Sequence, residues 1–154
     1  MTARQLISVQ HADFEVGAEV AALSGEGAAG AVASFVGVVR GGAPDQGEAI
    51  LAMTLEHYPG MTERALQDIV ILAQARWQLS GVRVIHRVGR LLPGERIVFV
   101  GVAGRHRSEA FAACEFIMDY LKTQAPFWKK EETASGARWV DARDSDDAAL
   151  ERWK

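Results

Sequence analysis

A set of basic side chains stands where a fold commonly gathers residues from distant sequence, and their types suit the capture of anions. Arg40 closes an apolar run and opens a polar segment that continues to Gly47. Arg105, His106 and Arg107 lie together just before Ser108, where a helix can begin. Free backbone N–H groups at a helix start, joined by guanidinium groups, suit a phosphate. The plainer reading is that Arg105 and Arg107 are solvated surface charges. Lys122 and Lys129 are seven positions apart with Pro126 between them. A helix broken at the proline would let both amines turn toward one pocket. Two ammonium groups in a partly dry site lower each other's pKa, so one could serve as base or nucleophile near neutral pH. A lysine late in a helix can also do no more than complement the macrodipole.

Phe127 and Trp128, beside Lys129, suit a wall that stacks on a flat heterocycle, or ordinary packing. His57 and His86 fall on strand patterns and read as hydrogen-bonded core or interface residues. No H-x-x-x-H or C-x-x-C spacing occurs, so no metal site is expected. Cys114 falls on the apolar stripe of a helix and reads as an inert buried thiol, so the chain offers no obvious carrier of sulfur.

These residues need elements to place them. An apolar period of two marks strands at residues 50–58 and 82–88, and residues 3–9 and 138–142 also read as short strands. The runs 31–39 and 97–103 read as buried strands, and Pro93-Gly94 as the turn that makes 82–88 and 97–103 a hairpin. Leu66, Ile69, Val70, Ala73 and Trp77 set a helix over 61–79, closed by Gly81. Ser108 caps a second helix to about Thr123, with a stripe of Phe111, Cys114, Ile117, Met118 and Leu121. Pro126 stops it. The acidic residues Asp141, Asp144, Asp146 and Asp147 read as part of a solvated charged tail over 143–154. Strands and helices mix without regular alternation, so the class is α+β, in one domain over residues 1–154.

The chain has 154 residues, of which 49% are apolar and 24% charged, with a net charge of -3. That balance disfavours a nucleic-acid binder. No secretory leader and no apolar run long enough to span a bilayer is read, and one cysteine suits a reducing cytoplasm.

Taken together, several segments resemble the molybdopterin synthase large (catalytic) subunit, the MoaE family. They are Leu55-Glu56-His57-Tyr58-Pro59-Gly60-Met61-Thr62-Glu63, Ile85-His86-Arg87-Val88-Gly89, His106-Arg107-Ser108 with Ala110-Phe111, Met118-Asp119-Tyr120-Leu121-Lys122-Thr123, and Ala125-Pro126-Phe127-Trp128-Lys129-Lys130-Glu131. Gly136 with Arg138-Trp139-Val140 follows in the same order. The resemblance implies a hammerhead-type α+β fold. It also implies sulfur transfer from the C-terminal thiocarboxylate of a small ubiquitin-like partner to cyclic pyranopterin monophosphate, forming the dithiolene of molybdopterin. A homodimer of large subunits forms the core of a heterotetramer in that family, and no cofactor is implied for this step. By the same resemblance Lys122 and Lys129 fall on the essential lysines. Arg40, His106 and Arg107 fall on substrate-binding positions, Lys130 and Glu131 extend the contact segment, and Val38 and Val39 line the substrate through their backbone.

Two other readings use the same residues. A non-catalytic module that docks a ubiquitin-like tail would lose affinity, not turnover, when its lysines are changed. An RNA-binding accessory protein would use arginines and aromatics, and its binding would depend steeply on salt.

Overall fold

The computed structural model describes residues 6–42, 48–140 and 144–154. Among the described residues two four-stranded sheets and four helices form an α+β fold. Sheet A runs in the order β1 (Ile7–Gln10), β4 (Leu79–Arg87), β6 (Arg96–Gly104), β2 (Ala31–Val38). Its only parallel pair among these strands is β1 with β4. Sheet B is antiparallel, in the order β5 (Gly89–Leu91), β3 (Ala52–His57), β7 (Phe127–Thr133), β8 (Gly136–Val140).

The run in β6 is apolar without alternation because both of its faces are covered. Val98, Val100 and Val102 join the main core under α2 (Met61–Arg76) and α3 (Arg107–Gln124), with Leu66, Ile69, Phe116 and Ile117. Phe99 faces the other way, with Phe14 and Ile85, under α1 (Val16–Ser24). Gly101 permits that approach: a Cβ there would lie 2.7 Å from the Phe99 ring and closer still to Leu23.

Several expectations are corrected. The run 31–39 is not a buried strand: β2 is the edge of sheet A, and Phe35 and Val38 are 41% and 49% exposed. The first long helix ends at Arg76, with Trp77 already extended, and Gly81 lies inside β4. His106, not Ser108, is the N-cap of α3, and Phe111 on the expected stripe is exposed. The segments 82–88 and 97–103 do pair antiparallel, but β5 intervenes and crosses to pair with β3 in sheet B. The charged tail is not solvated throughout. Residues 144–151 form α4 (Asp144–Glu151), which packs on α3 with Leu150 buried. The Trp153 indole N–H donates to Asp119 at 2.7 Å, and Arg152 bridges Glu115 and Asp119. Residues 3–5, 43–47 and 141–142 of the expected strands and loop, and Asp141, lie outside the described residues.

The segment 55–63 acts as a strut. Gly60 takes a φ of 85° to turn from β3 into α2, a conformation that favours glycine, and its N–H donates to Glu63. Thr62, fully buried, accepts from the Tyr58 N–H at 2.9 Å and donates to the Pro126 carbonyl at 3.0 Å. That carbonyl sits in the connection between α3 and β7, so one hydroxyl pins the joint between Lys122 and Lys129. Replacing Thr62 with Val removes the buried hydroxyl that joins the part-buried Tyr58 N–H to the Pro126 carbonyl. The expected cost is about 1–3 kcal/mol, read as a lower urea midpoint with an unchanged m-value. A midpoint equal to that of the unaltered chain would refute the strut.

Candidate active site

The sequence places Lys122 in the last turn of α3, and Pro126 ends the helix so that β7 starts at Phe127. In β7 alternate side chains point to opposite faces. Phe127, Lys129, Glu131 and Thr133 face a cleft between the two sheets, whereas Trp128 and Lys130 face outward. Arg40, two residues beyond the end of β2, comes in from sheet A. Arg40, Lys122 and Lys129 therefore line one cleft of about 1370 Å³, with Val38, Glu131 and the floor residues Leu55, His86 and Leu121.

One cation in this cleft, Arg138, was not singled out by the sequence. Register explains it: Arg138 lies directly opposite Glu131, and residues opposite each other in a ladder share a face. Four cations thus meet three carboxylates, Glu48, Glu131 and Asp146, among the described lining residues. Glu48 is already committed, because its carboxylate accepts from the Ser135 N–H at 3.0 Å and hydroxyl at 2.9 Å. The Thr133 hydroxyl, followed by those two Ser135 bonds, holds its pKa below the ordinary carboxylate value. On a chain whose net charge is -3, four cations against three carboxylates give this lining a small positive excess.

Other expected site residues lie elsewhere. Lys130 does not join the cleft: its amine sits 5.4 Å from the centre of the Trp139 ring on the outer face. Val39 is buried against Met53, Leu55 and Leu91, its N–H donates to Glu95 and its carbonyl accepts from Gly94, so its backbone is engaged within the chain. His106 and Arg107 are exposed at the N-terminal end of α3, with Arg105. Arg107 is 15 residues before Lys122, roughly 22 Å along the helix axis. Within one chain these residues do not reach the cleft. Phe127 and Trp128 do not form one wall. Phe127 stacks on His86 at 3.8 Å between ring centres, and Trp128 leans on Tyr58 across the sheet, beside a shallow hollow of about 420 Å³.

Cys114 is buried, and burial pushes its thiol pKa up to about 11. It is a poor nucleophile at neutral pH, so sulfur chemistry here needs an external donor. His86 is 5% exposed and its Nδ1 is 2.8 Å from the Arg87 carbonyl. Burial, aided by the charges of Lys122 and His57, holds its pKa down at about 4 against an ordinary 6.5. Between those values the unfolded chain binds a proton that the folded chain refuses. His86 therefore contributes stability that is complete above pH 6.5 and is lost as pH falls toward 4. The expected contribution to the slope is about 1.4 kcal/mol per pH unit. Urea unfolding at pH 7, 6 and 5 measures it, and a His86→Phe variant with the same slope would contradict it.

Residues 9–124 match the family model described as MoaE protein. The chain is 62% identical over 148 residues to a protein named molybdopterin synthase catalytic subunit from Ralstonia nicotianae, covering 96% of this chain and 83% of that protein. Among solved structures it is similar to a molybdopterin biosynthesis MoaE protein from Burkholderia ambifaria, with a TM-score of 0.81, 56% identity, and coverage of 97% of this chain and 98% of the other. The fold is also shared with a chain of the complex of subunits 1 and 2 of molybdopterin-converting factor from Helicobacter pylori. That match has a TM-score of 0.73 and 18% identity, covering 90% of this chain and 92% of that one.

Proposed function

Since the chain belongs to the MoaE family and acts as a molybdopterin synthase catalytic subunit in molybdenum cofactor biosynthesis, we propose that its cleft is where sulfur is transferred. The donor is the C-terminal thiocarboxylate of a small ubiquitin-like subunit, and the acceptor is cyclic pyranopterin monophosphate. The observation that carries this reading is the convergence of Arg40, Lys122 and Lys129 from three separate elements on one cleft. Both reactants are anions, and cations gathered on one cleft attract and hold them. The cleft volume, about 1370 Å³, exceeds the range of about 300–1,000 Å³ usual for a single small ligand. It leaves room for a pterin and an inserted peptide tail together.

In this reading Lys122 acts at the reacting centre as general acid and base, and Lys129 holds the donor carboxyl group. Arg40 binds the pterin phosphate, and Glu131 orders the cations beside it. His106 and Arg107 serve the cleft of a second copy across a homodimer, the core of a heterotetramer with one small subunit at each end. The buried, high-pKa thiol of Cys114 fits a scheme in which the partner brings the sulfur. The enzyme works in the cytoplasm and needs no cofactor of its own for this step.

The test is reconstitution. The chain, mixed with thiocarboxylated partner and cyclic pyranopterin monophosphate, is expected to form two carbon–sulfur bonds per pterin. A partner ending in a plain carboxylate should give none. Dithiolene formed at the same rate with the plain carboxylate would overturn the proposal.

A further inference from the structure

The floor of the cleft holds a polar group that this reading leaves unused. His86 lies on β4 and its ring stacks on Phe127, with 17° between the planes. A carbonyl only accepts, so the Nδ1 facing the Arg87 oxygen carries the ring hydrogen. In the neutral ring Nε2 is then a bare lone pair. Nothing among the described residues donates to Nε2, yet no sealed side-chain nitrogen or oxygen among them lacks a partner. Nε2 is therefore not sealed off, and His86 lines the cleft. Lys122 lines the same cleft, its charge is near enough to act on the imidazole, and no hydrogen bond or ion pair among the described residues holds its amine. An acceptor without a donor and a donor without an acceptor thus line one cleft.

We propose that His86 is a positioning residue, whose Nε2, once the small partner's tail occupies the cleft, accepts a hydrogen bond from the Lys122 ammonium and fixes where that amine stands against the bound reactants. The proposal rests on the placement of Lys122 at the reacting centre. A lysine amine on its four-carbon stem has many rotamers, and catalysis needs one of them. A carboxylate in the place of His86 would orient the amine but also cancel its charge. A neutral imidazole orients it and leaves the charge and the proton available. The stack on Phe127 makes the acceptor rigid, and Phe127 is two residues from Lys129 on the same face of β7. The two lysines are thereby referred to one fixed unit.

His86→Phe keeps an aromatic ring against Phe127 and removes Nε2, while His86→Gln can place an amide oxygen near the same point. The Phe variant should lose at least about tenfold in kcat with KM for the pterin within about twofold. The Gln variant should recover to within about threefold of the unaltered enzyme. Equal losses in both variants, or an undiminished kcat in the Phe variant, would overturn the proposal. A second measurement needs no folding of either variant. The ¹⁵N resonance of His86 Nε2, in the complex with the small partner, should move toward that of an unbonded ring nitrogen when Lys122 is replaced by Met. An unmoved resonance would also overturn the proposal. Because no turnover is involved, that result can fail while Lys122 remains essential, and it can hold if Lys122 is dispensable.

Discussion

Replacing Lys122 with alanine is expected to slow dithiolene formation by about 10²–10⁴-fold, the range lost when a positioned acid or base is removed. The fold should be indifferent to the change. Lys122 is exposed, lies in the last turn of α3 and makes no hydrogen bond among the described residues. The thermal midpoint and affinity for the small subunit should therefore stay near those of the unaltered chain, and the loss should fall on single-turnover rate. Lys122→Arg separates charge from proton transfer. Arginine keeps the charge but cannot give up its proton in this range. An acid–base role predicts that Arg restores little, whereas simple charge stabilisation predicts substantial recovery. A near-normal rate in Lys122→Ala would remove the residue from the chemistry.

What the sequence disclosed and what it hid follow from how each element buries its residues. The 97–103 run and the 61–76 helix were legible because their apolar residues meet a core in a regular way. α1 has no buried residue and no side-chain cap, so nothing in its composition announces it. β7 reads Phe-Trp-Lys-Lys-Glu-Glu-Thr, and each face carries one aromatic residue followed by charges. Its period of two is invisible to hydropathy. That one omission accounts for the misplaced Lys130, because alternation from Lys129 would have sent it outward. It also hid Arg138, whose place in the cleft is visible only through its register with Glu131. Arg40, Lys122 and Lys129 stood out by charge and spacing, and the family resemblance gave them their roles. Their convergence depends on the joint at Pro126 and on the meeting of two sheets, which local spacing does not encode.

A mixture of two impaired variants is expected to recover activity, at low pterin concentration, that neither shows alone. Arg107 and Lys122 are roughly 22 Å apart along α3, so one chain does not present both to one pterin phosphate. If Arg107 acts, it acts in the cleft of a second copy, and two-fold symmetry makes the exchange reciprocal. Arg107→Glu should then weaken pterin binding strongly, because it places a negative charge beside a phosphate, and Lys122→Ala should stop the chemistry. On co-expression half the dimers are mixed. In each mixed dimer, shared sites leave one cleft with both lesions and the other with none, so about a quarter of normal sites return. If each cleft instead drew both residues from its own chain, every cleft would carry one lesion and no activity would return. The control is Arg107→Glu alone, which should raise KM for the pterin. An unchanged KM there would leave Arg107 a solvated surface charge.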